Sequence, residues 1–121
     1  MLNSKFQFKS SNKSLLHTMV FNILSNAIKY NKAEGKVFIT TFTTEAGFTL
    51  SIRDTGHGIS SDQLPFIFER FRRFRPEDEM SYGLGLPIVK SVADFHNIRI
   101  QAESIKGEGT EFKLIFPQRS V

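Results

Sequence analysis

The first long pattern in the chain is helical and carries polar residues along one edge. From a cap at Asn12 or Ser14 to about Tyr30, apolar side chains recur every three or four positions, which predicts an amphipathic helix packed on a core. The predicted core side holds Leu16, Val20, Ile23, Leu24, Ala27 and Ile28. At roughly 100° per residue, four polar side chains share an arc of about 100° on the other side. They are Asn22, Asn26, Lys29 and Tyr30, a set that suits a metal ion and phosphates better than core packing.

The rest of the pattern predicts short strands and two further helices. Alternating or β-branched segments predict strands at residues 5–9, 36–44, 48–54, 98–104 and 110–116. Helical spacing predicts helices at residues 63–74 and 83–97. The second has an expected core side of Leu86, Val89, Val92, Ala93 and His96. Because the strands form hairpin-like pairs, we expect an α+β, two-layer sandwich in which about three helices cover one face of a mixed, mainly antiparallel sheet.

Length and composition fit a single domain covering residues 1–121. The chain has 40% hydrophobic residues and 13 Phe, enough apolar material for one core. It contains no Cys, so disulfides and thiolate metal sites are excluded. No apolar run approaches the roughly 20 residues of a membrane span, and no secretory signal opens the chain. We therefore expect a cytoplasmic domain without direct membrane contact, whether or not its parent protein is membrane-anchored.

The positive charge is local rather than spread over a surface. The net charge is +4, and much of the excess lies in a cluster of Arg70, Arg72, Arg73 and Arg75, next to the acidic residues 77–79. A nucleic-acid duplex requires an extended basic face. The distribution therefore favours a small anionic ligand, and we expect no nucleic-acid partner.

An Asp-x-Gly-x-Gly segment follows the strand at 48–54. Asp54 ends this strand, where its carboxylate can accept a directed hydrogen bond inside a pocket, and Gly56 and Gly58 allow close approach of a flat ligand. The exocyclic amine of adenine is a suitable donor. An ordinary strand-exit turn is the alternative, whereas a dinucleotide-binding fingerprint is disfavoured because Ser61 stands in place of its third Gly.

Two more glycine pairs follow. Gly83 and Gly85 open a helix, where backbone N–H groups can bind an anion, and the charged loop before them is expected to act as a lid hinged at glycine. A plain loop is the alternative. Gly107 and Gly109 most simply form a hairpin, from which Thr110 could place a hydroxyl near a base.

The segment between the first two glycine pairs mixes Phe and Arg. Phe68, Phe71 and Phe74 share one helix face, as core residues do. The arginines on the other faces are either a solvated surface or contacts to phosphate, which suits the planar fork of guanidinium donors.

Taken in order, these blocks resemble the catalytic ATP-binding domain of sensor histidine kinases, in the superfamily shared with gyrase, the mismatch-repair ATPases and the heat-shock chaperone ATPases. The resemblance covers residues 5 to 117. The matching blocks are Asn22-x3-Asn26-Ala27-x-Lys29-Tyr30, Asp54-x-Gly56-x-Gly58-Ile59, Phe68-Glu69-Arg70-Phe71, Gly83-Leu84-Gly85-Leu86 and Gly107-x-Gly109-Thr110-x-Phe112.

The resemblance implies ATP and Mg²⁺ as cofactors. Asn26 resembles the asparagine that holds Mg²⁺, and Asp54 resembles the acceptor of the adenine amine. The remaining blocks would line the nucleotide site, contact its phosphates or hinge the lid. They contribute Asn22, Lys29, Tyr30, Gly56, Gly58, Ile59, Phe71, Arg73, Gly83, Leu84, Gly85, Leu86 and Thr110. Two departures, Ser81-Tyr82 at the lid exit and Arg72 in the middle block, bear on the lid more than on the base pocket.

Asn22 bears on the type of reaction. The resemblance implies that ATP-hydrolysing relatives carry a Glu general base at this position, and Asn22 cannot accept a proton. A neutral imidazole nucleophile needs no such base. We therefore assign Asn22, Asn26 and Lys29 to the catalytic set and expect transfer of the γ-phosphoryl group to a histidine.

The acceptor histidine is expected outside this chain. His17 falls near the apolar arc of the first helix, His57 lies in the base-pocket loop after Asp54, and His96 faces the core. The expected partners are therefore the dimerisation and phosphoacceptor domain of a homodimeric parent and a downstream response regulator. Two alternatives remain: an anti-sigma-type serine kinase on the same fold, and a non-enzymatic or degenerate nucleotide-binding module.

Overall fold

The fold is an antiparallel sheet with helices packed on one of its faces. A computed structural model of the chain describes residues 13–45, 47–69 and 85–117. Its elements are α1 (Lys13–Lys29), β1 (Val37–Thr44), β2 (Gly47–Asp54), a 3-10 helix (Leu64–Phe66), α2 (Gly85–Phe95), β3 (Arg99–Ile105) and β4 (Gly109–Pro117). The predicted α+β sandwich is confirmed, with two α-helices and one 3-10 helix in the described ranges. The predicted strand at 5–9 lies outside them.

The four strands pair antiparallel in the order β1-β2-β4-β3. Strands β2 and β4 are therefore the two inner strands, and the even-numbered residues of β2 face the helices beside Leu114 and Phe112 of β4. The most deeply buried side chains come from both layers. They are Met19, Ile23, Ile52, Leu86, Val89 and Leu114. No helix in the described ranges combines the length and apolar character needed to cross a bilayer.

Helix α1 packs on the core through a narrower face than its sequence predicts. Met19, Ile23 and Ala27 are buried. The placement of Ile28 on the core side is wrong, because its side chain is 68% exposed. Ile28 lies about 140° around the helix from Ile23, beyond the arc that the sheet and α2 cover. The polar edge of α1 that carries Asn26 lies directly beside this buried face.

The predicted helix at 63–74 is not an α-helix in its described part. Residues 64–66 form a 3-10 helix. The N–H of Phe66 donates to the carbonyl of Gln63, and that of Glu69 to Phe66, both three residues back. Pro65 lies in the first turn of this helix, where its missing N–H is tolerated. Residues 70–84 lie outside the described ranges.

Helix α2 has the predicted core side, since Leu86, Val89, Val92, Ala93 and His96 are all buried. It ends in a Schellman motif: the N–H of Ile98 donates to the carbonyl of Ala93 over 2.8 Å, and that of Asn97 to Asp94 over 3.2 Å. Asn97 adopts the left-handed conformation that this motif requires, with φ of 58°.

Candidate functional site

An open cleft of about 450 Å³, counting the space open to solvent, lies where α1, β2, β4 and α2 converge. Its lining residues come from segments far apart in the sequence. They are Asn26, Tyr30, Asp54, His57, Gly58, Ile59, Leu86, Thr110 and Phe112. Seven of these nine were predicted as site residues; His57 and Phe112 were not.

Asp54 supplies the charged group of the cleft. Its Oδ1 accepts hydrogen bonds from the backbone N–H of Gly56 over 2.8 Å and from that of Thr110 over 3.3 Å. In the described ranges, Oδ2 accepts no hydrogen bond. A half-buried carboxylate held through one oxygen can present the other to a ligand, and the strongest complement is a directed N–H donor.

Burial raises the pKa of Asp54 above its ordinary value of 3.8. The two backbone N–H donors and the nearby His57 oppose this rise, because each stabilises the carboxylate. The cleft therefore holds its acceptor in an environment that disfavours negative charge. Carboxyl groups with a shifted pKa are common at ligand-binding sites.

The loop after β2 is shaped by contacts with the β3–β4 hairpin. Gly58 has φ of +73°, and a Cβ there would overlap the carbonyl oxygen of Ile105. On the same edge, the N–H of Gly107 donates to the carbonyl of His57 over 2.6 Å. Gly58 thus permits a close approach between two parts of the chain, in addition to lining the cleft. The glycine pair at 107 and 109 does form the predicted hairpin turn.

A second network holds the end of α1 against the sheet. The amide nitrogen of Asn31 donates to the carbonyl of Lys36 over 3.0 Å, and the N–H of Lys36 donates to the hydroxyl of Thr55 over 2.7 Å. The ammonium of Lys32 donates to the carbonyl of Gly107 over 2.8 Å. These bonds fix the polar edge of α1 relative to Asp54.

Asn22, Lys29 and Gly56 are predicted site residues that do not line the cleft. Asn22 is half-buried one turn before Asn26, and Lys29 is exposed with its Nζ 5.6 Å from the centroid of the Tyr30 ring. Gly56 packs behind the carboxylate, where an added Cβ would lie 2.9 Å from Oδ1 of Asp54 and 3.0 Å from the carbonyl oxygen of Tyr30. Gly56 therefore gives room to its own chain rather than to a ligand.

Four predicted site residues, Phe71, Arg73, Gly83 and Leu84, lie outside the described ranges. Gly85 begins α2, and Leu86, only 2% exposed, reaches the cleft from the first turn of this helix.

The two unpredicted lining residues had weak signals in the sequence. Phe112 forms an edge-to-face pair with Phe68, with ring centroids 6.2 Å apart, and alternation along β4 indicates its inward direction. His57 stands between the two glycines of the loop predicted to line the base pocket, although its side chain was not predicted as a site residue.

The other two histidines differ in exposure. His96 is buried, with Nδ1 2.9 Å from the carbonyl oxygen of Val92. His17 is exposed and stacks on Phe21 with ring centroids 6.4 Å apart, so its expected place near the apolar arc is wrong. Neither residue lines the cleft.

The donor set fits a cation that a ligand brings with it. The described residues hold no group of three or more His, Cys, Asp or Glu side chains arranged for a metal. Asn26 nevertheless places an amide in the cleft wall. Mg²⁺ prefers hard oxygen ligands and is usually held by one or two protein groups together with phosphates and water. The cleft thus suits Mg²⁺ bound to a polyphosphate.

Comparison with known proteins agrees with this geometry. Residues 11–120 match the family described as histidine kinase-, DNA gyrase B-, and HSP90-like ATPase. The sensor histidine kinase GraS of Staphylococcus haemolyticus is 39% identical over 104 residues, which are 84% of this chain and 30% of the relative. This chain therefore spans less than a third of that relative.

Solved structures give the same result. The mycobacterial sensor histidine kinase MprB is similar with a TM-score of 0.75 and 30% identity, over 93% of this chain and 78% of that one. Full-length ShkA, solved in complex with AMPPNP, is similar with a TM-score of 0.74 and 28% identity, over 90% of this chain and 22% of that one.

Proposed function

Because the chain belongs to the histidine kinase-, DNA gyrase B- and HSP90-like ATPase family, we propose that it is the ATP-binding catalytic domain of a sensor histidine kinase. It would transfer the γ-phosphoryl group of ATP to a histidine on the dimerisation domain of its parent protein. The observation that carries the proposal is the half-buried Asp54 carboxylate, whose Oδ1 is held by backbone N–H groups while Oδ2 faces no partner in the described ranges.

Adenine fits this acceptor. Its exocyclic amine donates to Oδ2 of Asp54, while Ile59, Leu86 and Phe112 offer apolar surface to the ring. A directed amine-to-carboxylate hydrogen bond in a partly desolvated site also gives selectivity, since a base without that donor leaves the carboxylate unpaired.

The polar edge of α1 suits the phosphates. Asn26 would hold Mg²⁺ through its amide oxygen, and the bound ion would neutralise charge on the triphosphate. Lys29, exposed at the last turn of the helix, can reach outward to phosphate oxygens. Tyr30 contributes its ring to the cleft wall. Phosphoryl transfer depends mainly on such positioning and charge neutralisation.

The chemistry of Asn22 favours phosphoryl transfer to histidine over hydrolysis. An amide cannot take a proton from water, so this helix offers no general base at that position. A neutral imidazole attacks through its lone pair without prior loss of a proton. Full-length ShkA, part of which is similar to this chain, was solved in complex with AMPPNP, and this supports nucleotide binding. The parent would act as a homodimer and pass its phosphoryl group to a response regulator.

Binding of a fluorescent ATP analogue by the folded 121-residue chain tests the proposal. Saturable binding that depends on Mg²⁺ and is displaced by unlabelled ATP is expected. A chain that is folded by circular dichroism and yet binds no analogue would contradict the proposed function.

A further inference from the structure

The hydroxyl of Ser104 is the centre of a hydrogen-bond cluster behind the cleft. Its Oγ lies 2.7 Å from the backbone nitrogen of Ile59, 2.9 Å from the carbonyl oxygen of Gly109 and 2.8 Å from Oγ1 of Thr110. Ser104 and Thr110 are direct partners in the β3–β4 pairing. Ser104 thus connects the loop after Asp54 with the strand that carries Thr110.

The direction of each hydrogen bond follows from the number of protons. A serine hydroxyl has one proton to donate and two lone pairs that accept. The N–H of Ile59 can only donate, and the carbonyl of Gly109 can only accept. The single Ser104 proton therefore goes to Gly109, and the contact between the two hydroxyls must use the proton of Thr110.

This assignment leaves Thr110 as an acceptor. Its hydroxyl proton is directed to Ser104, and the residue is only 6% exposed while it lines the cleft. Asp54, whose Oδ1 accepts the backbone N–H of Thr110, is the neighbouring acceptor. On this edge of the cleft, the side chains of Thr110 and Asp54 therefore offer lone pairs to a ligand, and neither offers a proton.

We propose that Ser104 is a positioning residue that sets the base specificity of the cleft by holding the Thr110 hydroxyl as an acceptor. The inference rests on the proposed function and adds the way in which the cleft distinguishes purines. A 6-amino purine presents N–H donors to an acceptor edge. A 6-oxo purine has an N1–H donor, but it places the lone pairs of its carbonyl where the amine would lie, so this edge disfavours it.

Removal of the Ser104 hydroxyl frees the Thr110 proton. In Ser104→Ala, Thr110 can turn and donate to the O6 atom of a 6-oxo purine. We expect the ratio of the Kd for ITP to the Kd for ATP to fall about three- to tenfold, the effect of one neutral hydrogen bond. Ser51→Ala is the matched control: the Ser51 hydroxyl donates to Glu111 over 2.6 Å on the opposite face of the sheet, and the ratio should not change.

Two further variants separate specificity from loss of structure. Ser104→Cys fills similar space with a thiol that forms only weak hydrogen bonds, so its ratio of the Kd for ITP to the Kd for ATP should also fall. This variant decides the test if Ser104→Ala does not fold. In a Thr110→Val background, which has no hydroxyl to turn, Ser104→Ala should leave the ratio unchanged. Equal weakening of ATP and ITP binding would mean a purely structural role and would overturn the inference. Failure of the wild-type chain to bind ATP would instead contradict the proposed function itself.

Discussion

The backbone N–H of Thr110 donates to Oδ1 of Asp54 over 3.3 Å and joins residues that are 56 positions apart in the chain. The second donor to the same oxygen is the backbone N–H of Gly56. Both bonds require only an oxygen acceptor, and an uncharged amide offers one as well. The fold therefore does not require the charge of Asp54, whereas the proposed adenine contact does.

Asp54→Asn should abolish tight adenine-nucleotide binding without loss of stability. The amide oxygen can accept both backbone bonds, whereas the amide nitrogen replaces the acceptor that the base requires. We expect ATP affinity to fall at least about 30-fold, which corresponds to a lost charge-assisted hydrogen bond. Titration calorimetry measures the affinity. Asp94→Asn is the control, because Asp94 is exposed on α2 and pairs with Lys90, so its replacement should leave ATP binding unchanged.

The raised pKa of Asp54 predicts a pH dependence of stability. The folded state takes up a proton at Asp54 at higher pH than the unfolded state, whose carboxyl keeps its ordinary pKa of 3.8. As the pH falls from the raised folded-state pKa of Asp54 to 3.8, the free energy of unfolding of the wild type should therefore rise relative to that of Asp54→Asn. Below pH 3.8 the difference should not change further. Urea unfolding of both proteins at a series of pH values measures the difference. A wild type that loses stability relative to the variant over this window would refute the assignment.

Gly58→Ala should destabilise the fold far more than Gly107→Ala. Both glycines have positive φ, +73° and +87°, so each alanine incurs a backbone penalty of about 1 kcal/mol. At Gly107 no atom lies within 4 Å of the added Cβ, whereas at Gly58 it would overlap the carbonyl of Ile105. We expect a loss in free energy of unfolding of about 3 kcal/mol or more for Gly58→Ala. Equal losses would mean that the loop and hairpin do not approach as described.

Asn26→Ala should remove the dependence of nucleotide binding on Mg²⁺. The wild-type affinity for ATP is expected to fall when EDTA replaces Mg²⁺, because in the proposed site the ion would link the phosphates to the Asn26 amide. In the alanine variant the two affinities should be similar. Asn26→Asp retains an oxygen ligand and should keep the dependence. An alanine variant with undiminished Mg²⁺ dependence would show that another group holds the ion.

The sequence predicts those parts of the site that depend on local periodicity. Helical spacing indicates the polar edge with Asn26 and Tyr30, and the end of a strand indicates Asp54. Periodicity gives the direction of a side chain but not how far the neighbouring layer extends, which explains the error at Ile28.

Contacts between distant segments were beyond this kind of prediction. The Ile59–Ser104 bond spans 45 positions, and nothing in the local pattern around Ser104 indicates it. The same limit applies to Gly58, where the need for glycine comes from the backbone of Ile105. The sequence shows Pro65 in the first turn of the predicted helix, but a proline there is compatible with both an α-helix and the 3-10 helix that forms. The type of helix therefore could not be predicted.

The most direct test of the central claim is transfer of label from [γ-³²P]ATP to the parent protein. We predict a label that is lost in acid and retained in base, as for phosphohistidine, and that is absent when the parent carries Asp54→Asn. An acid-stable label would indicate a serine kinase. A parent that binds ATP but acquires no label would indicate a non-enzymatic module, and either result would contradict the account.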